Sequence, residues 1–162
     1  MFLLSPITFP NLGITLDPDP VAFTLFGKEI YWYGIIIATG FLLAALYMLY
    51  RAKTFGLTQD DVLDMILWVV PIGVVCARLY YCLFYWELYR DDPVSMLYIW
   101  QGGLAIYGGI IGGAITILIL SKVKKIPTLV MLDDAAMGVL IGQIMGRWGN
   151  FMNREAHGGV TD

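Results

Sequence analysis

The chain has 162 residues, of which 59% are hydrophobic and 14% charged, with a formal net charge of -3 and a mean hydropathy of +0.72. A soluble domain carries about a quarter charged residues, so this composition excludes an ordinary water-soluble globule, and it excludes disorder because too much apolar surface must be covered. No basic patch stands clear of the hydrophobic runs, which argues against nucleic acid and leaves an all-α, polytopic membrane bundle as the expected class.

The segment before the first long run holds Pro6, Pro10, Pro18, Pro20 and Gly13 and has no basic n-region. It is therefore not a signal peptide, and it predicts an irregular or short interfacial stretch. A span needs roughly 20 apolar residues. Four runs meet this, at about 30–50, 62–86, 97–120 and 129–149, joined by short polar linkers. They predict one membrane domain with about four transmembrane helices.

Arg51 and Lys53 follow the first run, and Lys122, Lys124 and Lys125 follow the third. The positive-inside rule then places these two linkers in the cytoplasm, with the N-terminus and residues from Gly146 onward outside. Trp32, Trp86, Trp100 and Trp148 fall near the predicted outer ends. An interfacial belt is the default reading of that one-sidedness, and a polar cavity at the outer leaflet is the sharper one.

Gly108 and Gly112, Gly109 and Gly113, and Gly138, Gly142 and Gly146 recur at intervals of four. Such rows predict close packing of the third span on the fourth. Gly102 and Gly103 sit at the entrance of the third run and fit an irregular turn that offers backbone N–H groups to a ligand. Cys76 and Cys82 lie six apart in one apolar run. They cannot bridge within a helix and read as apolar fillers. No metal-ligand set is present, so neither a metal nor any other cofactor is expected.

A charge at mid-bilayer costs about 2.5–3.5 kcal/mol on insertion scales. Asp133 and Asp134 are expected to pair with the nearby Lys122, Lys124 or Lys125. Arg78 lies well into the second run, and either snorkels or forms an inward-facing cationic site. The densest polar cluster is Gly146 to Gly159, with Arg147, Asn150, Asn153, Arg154, Glu155 and His157. One reading is a polar helix cap and outer loop. The other is a site in which Arg147 grips a phosphate, beside Asn150 on the same helix face, and Glu155 or His157 accepts a proton.

The run GRWGNFMNREAHG closely resembles the signature G-R-x-G-N-F-x-N-x-E-x-x-G of the bacterial phosphatidylglycerol–prolipoprotein diacylglyceryl transferase family, with Gly146, Arg147, Gly149, Asn150, Phe151, Asn153, Glu155 and Gly158 at the fixed positions. Tyr31-Trp32-Tyr33-Gly34, Ala77-Arg78-Leu79-Tyr80-Tyr81 and the segment from Trp100 to Gly109 are similar to further family segments in order and spacing. The resemblance implies a multi-pass enzyme of the bacterial cytoplasmic (inner) membrane, active at its outer face. It implies transfer of the diacylglyceryl group of phosphatidylglycerol to the lipobox cysteine of a prolipoprotein signal peptide, with release of glycerol phosphate. Tyr33, Tyr107, Asn150 and Glu155 are then the catalytic candidates. Arg147, Arg78, Asn153, Gly102, Gly103 and Gly158 are the headgroup candidates.

Two departures stand out. Many members of the family carry His where this chain has Tyr107, and a phenol with pKa near 10 is a poorer base. Members also run on past the signature, so the chain is expected to be an N-terminal portion. A small anion-binding transporter-like bundle and an inactive remnant are the alternative functions.

Overall fold

The structure, a computed structural model, describes residues 6–9 and 12–156. Four short strands precede four long helices: β1 Ile7–Phe9, β2 Ile14–Leu16, β3 Val21–Leu25, β4 Lys28–Tyr31, α1 Trp32–Arg51, α2 Gln59–Phe84, α3 Ile106–Lys124 and α4 Thr128–Asn153. All four helices are long and apolar enough to cross a membrane, so the chain is a multi-pass, predominantly helical membrane protein.

The N-terminal segment departs from the irregular stretch expected of it. β1 pairs with β2, and β3 with β4, as two antiparallel hairpins. The alternation in Ile7-Thr8-Phe9 and Ile14-Thr15-Leu16 is a period-2 strand signal, too short to stand out between prolines. Pro18 and Pro20 lie outside the strands, where a missing N–H breaks no ladder. Phe26 and Gly27 both adopt positive φ, as a two-residue hairpin turn between right-twisted strands requires.

The chain divides into two compact units, one of residues 1–47 with 137–162 and the other of 48–136. In the second unit, Thr58 and Asp61 close a capping box at the start of α2: the Asp61 N–H donates to Thr58 Oγ1 at 3.2 Å, and the Thr58 N–H donates to Asp61 Oδ2 at 3.0 Å. This satisfies two of the backbone donors that a helix start leaves open. α3 ends on Lys125 in the left-handed region. There the Ile126 N–H reaches back to the Ser121 carbonyl at 3.0 Å, and Pro127 bars further helix. Met48, Ala52, Leu57, Val62, Met65, Ile117 and Met131 form the buried cluster of this unit.

The close helix pair is α2 with α3, which run antiparallel. A Cβ built on Gly108 would strike the Cys76 carbonyl and Ala77 Cα, and one on Gly112 would lie 2.5 Å from Cys76 Cβ. Gly109 and Gly113 face Gly73 and Val69 at wider spacing. The glycine row of α3 is thus filled by α2, not by the fourth span as its spacing suggested. Among the described residues nothing lies within 4 Å of a Cβ on Gly142 or Gly146. The third helix also begins later than the hydropathy run, because residues 97–105 make 3-10 turns and an irregular passage before Ile106.

The antiparallel pair carries Lys124, at the end of α3, to the start of α2. Its Nζ meets Asp61 Oδ1 at 2.8 Å and Asp64 Oδ2 at 2.5 Å. This corrects the expected pairing of the lysine cluster with Asp133 and Asp134. Asp133 is exposed. Asp134 is fully buried, and neither carboxylate oxygen has a hydrogen-bond partner among the described residues.

Gly108→Ala should lower the stability of the protein by about 1–3 kcal/mol through overpacking. Gly142→Ala should be neutral or raise it by up to about 1 kcal/mol through helix propensity. Thermal unfolding of the two variants side by side in detergent checks both.

Candidate functional site

In the first unit the signature run closes α4. Arg154 takes positive φ directly after the helix. Its N–H donates to the Phe151 carbonyl at 3.1 Å, and the next N–H, of Glu155, donates to the Asn150 carbonyl at 3.0 Å. These two bonds make a Schellman cap, which uses orphan carbonyls of the last turn and turns the chain back on itself. The reversal brings the Glu155 carboxylate within reach of Asn153, whose Nδ2 donates to Oε1 at 3.0 Å. An arginine where glycine is usual is held by its side chain. The guanidinium pairs with the Asp17 carboxylate and donates to the Pro18 carbonyl at 2.7 Å.

Tyr33, in the first turn of α1, packs on Gly149. A Cβ at Gly149 would sit 2.9 Å from Tyr33 Cδ2, which is why this position of α4 carries no side chain. Pro20, Tyr31, Tyr33, Gly34, Asn153 and Glu155 line one cavity of about 420 Å³. Tyr33, Asn153 and Glu155, three of the candidates named from sequence, therefore meet at one opening with a carboxylate, an amide and a phenol. Arg147 and Asn150 share one face of α4, since the helix persists to Asn153, but neither is among the residues that line this cavity. The Arg147 side chain is exposed and has no hydrogen bond or ion pair among the described residues. Gly158 and His157 lie outside the described residues.

Tyr31 hydrogen-bonds Glu29 Oε2 through its hydroxyl at 2.8 Å. That bond, with the carboxylate's negative charge, holds the phenol above its ordinary value of 10.0.

In the second unit Arg78 is only 5% exposed. Its Nε donates to the Met96 carbonyl at 2.8 Å, Nη1 to the Gly102 and Gly103 carbonyls at 2.6 and 3.0 Å, and Nη2 to the Ser95 carbonyl at 2.9 Å. The guanidinium carbon lies 5.1 Å from the centroid of the Tyr89 ring, within cation–π range. Burial lifts the Tyr89 phenol above its ordinary 10.0, with the Arg78 charge acting in the opposite sense. Arg78 thus faces inward, and most of its donors hold the passage 95–103 in place.

Gly102 and Gly103 both adopt positive φ. A Cβ at Gly103 would collide with Arg78 Nη1 and the Tyr81 ring. The turn expected there is present, and it aims its carbonyls at Arg78. Tyr107 is exposed in the first turn of α3, with its ring centroid 6.5 Å from that of Tyr80. Tyr80, Tyr81, Phe84, Tyr85 and Ala105 line a second cavity of about 380 Å³. Among the described residues no group of three His, Cys, Asp or Glu side chains is placed to hold a metal ion.

Asp17 and Pro20 were not found by sequence reasoning, and Arg154 stood only as a member of the polar cluster, with no partner assigned to it. The Arg154–Asp17 pair joins residues 137 apart, and no local pattern announces it. Tyr31 stood in the aromatic segment before α1, yet nothing there marked it as lining a cavity.

Arg78→Ala should expose the 95–103 passage to limited proteolysis, because each carbonyl left unpaired in a buried site costs about 1–3 kcal/mol. Equal protease resistance of variant and parent would contradict the clamp. The Tyr31–Glu29 bond is complete below pH 10 and is lost as pH rises through the elevated Tyr31 midpoint. In ultraviolet difference titrations Glu29→Gln should move that one phenol back down toward 10.0.

Residues 20–162 match the family model described as prolipoprotein diacylglyceryl transferase. Among curated relatives, the phosphatidylglycerol–prolipoprotein diacylglyceryl transferase of Lactobacillus johnsonii is 45% identical over 148 residues, 91% of this chain and 53% of the relative. The protein of the same name in Clostridioides difficile is 46% identical over 144 residues, covering 89% of this chain and 58% of the relative. That of Limosilactobacillus reuteri is 42% identical over 151 residues, covering 93% and 55%. The chain spans about half the length of the curated relatives it matches. With the family model covering nearly the whole sequence, the chain belongs to the prolipoprotein diacylglyceryl transferase family.

Proposed function

We propose that this chain supplies the headgroup-binding part of an enzyme that transfers the diacylglyceryl group of phosphatidylglycerol to the lipobox cysteine of a prolipoprotein. The observation that carries the reading is the end of α4. There the signature run puts an exposed guanidinium at Arg147 one turn before Asn150, and the Schellman cap turns Glu155 back against Asn153 at the Tyr33 cavity.

The chemistry needs such groups. The cysteine thiol must lose its proton to attack, since the thiolate is the nucleophile. Its sulfur forms a bond to the terminal glycerol carbon of the diacylglyceryl group as the bond from that carbon to the phosphate oxygen breaks. Glycerol phosphate then departs with the electron pair and a growing negative charge. In this reading Arg147 meets that phosphate through paired N–H donors. Asn150 and Asn153 orient the glycerol hydroxyls. Glu155 takes the thiol proton or fixes Arg147, and Tyr33 closes the wall. Gly158 belongs to the same signature and is assigned with it to headgroup binding. Arg78 acts at one remove, by holding the Gly102–Gly103 passage, and Tyr107 lines the approach.

The distribution of Lys and Arg between linkers supports a site at the outer face of the bacterial cytoplasmic membrane, with the N-terminus on that side. Transfer of labelled diacylglycerol from phosphatidylglycerol to a lipobox peptide tests the assignment in the full coding frame. Arg147→Ala should lower the rate by about 10²–10³-fold, the usual loss when one donor to a developing anion is removed. Arg147→Lys should recover part of it. Unchanged transfer by Arg147→Ala would overturn the headgroup role.

A further inference from the structure

Each N-terminal hairpin has one apolar and one polar face. In the first, the cross-strand partners Ile7 with Leu16 and Phe9 with Ile14 share one side, and Thr8 with Thr15 the other. In the second, Phe23 opposite Ile30 and Leu25 opposite Lys28 share one side, and Thr24 opposite Glu29 the other. The apolar faces are open: Phe9, Ile14 and Leu16 are exposed, as are Phe23 and Leu25. Phe26, at the tip of the second turn, is 97% exposed. An isolated two-stranded hairpin is marginal in water, so something must cover these faces.

The attachment of the hairpins indicates what that is. β4 runs without a break into α1 at Trp32. The Trp32 N–H donates to the Pro20 carbonyl at 2.9 Å. The link between the hairpins is also tied to the end of α4, through Asp17 and Pro18 on Arg154. Two membrane-spanning helices thus fix the hairpins at the level where α1 begins and α4 stops, which is a bilayer boundary. Lys28 lies beside Leu25 on the apolar side and can extend its charge to anionic headgroups while its stem stays among acyl chains.

We propose that the two hairpins form an interfacial paddle whose apolar faces, with Phe26 at the tip, sink into the lipid leaflet around the entrance of α1. This rests on the membrane-spanning reading of α1 and α4 and is independent of the transfer chemistry.

Spin labels test it. With Cys76 and Cys82 changed to Ala, single cysteines are placed at Phe23, Thr24, Leu25, Phe26 and Glu29. The labelled protein is reconstituted in vesicles of phosphatidylcholine and phosphatidylglycerol. Labels at 23, 25 and 26 should be several-fold more accessible to oxygen than to a water-soluble nickel chelate, at a depth of about 5–10 Å below the phosphates. Labels at 24 and 29 should show the reverse preference. Equal access of the chelate to all five positions would place the hairpin in water and overturn the proposal. Shielding of 23, 25 and 26 from both reagents at high lipid-to-protein ratio would also overturn it, by showing that a protein surface covers the face.

Discussion

A buried guanidinium, that of Arg78 on α2, has to be satisfied within the protein, and the 95–103 passage is shaped by that need. No carboxylate pairs with Arg78 among the described residues. Four carbonyl oxygens and one aromatic face surround it instead. Carbonyls converge on one point only if the backbone carrying them is bent, and this explains both the positive φ of Gly102 and Gly103 and the late start of α3. The Ala105 N–H then donates to the Ala77 carbonyl at 3.1 Å, so the entry of α3 is fastened one residue before the arginine. A neutral residue at 78 would leave the passage with nothing to fold around.

At the other end of the same helix pair the charge logic reverses. Lys124 is answered by two carboxylates at i and i+3 of α2, beside the capping box that already orders Asp61. Between these ends no polar contact is needed. The glycines of α3 let the backbones approach, so dispersion contacts replace the hydrophobic drive that lipid removes.

The helices were plain in the sequence because hydropathy is a local property and each run is long. The family signature was equally plain, because its eight fixed positions fall within thirteen residues of sequence. The pairing of elements was harder to see. Spacing marked the α3 glycines as a contact row but could not say which helix fills it. Asp134 looked close enough in sequence to the lysines, yet Lys124 is claimed by α2. The hairpins escaped notice because three-residue strands between prolines carry little periodic signal. The clamp of Arg154 on Asp17 depends on two distant segments meeting.

The α2–α3 contact has a further consequence for how such sequences vary. Cys76 and Gly112 share a fixed amount of space: a Cβ on the glycine would fall 2.6 Å from the cysteine sulfur. Gly112 cannot grow alone, but a larger residue at 112 is admissible if 76 shrinks to glycine, since alanine keeps the Cβ that would lie 2.5 Å away. Across related chains these two positions should change together while their summed side-chain volume stays nearly constant.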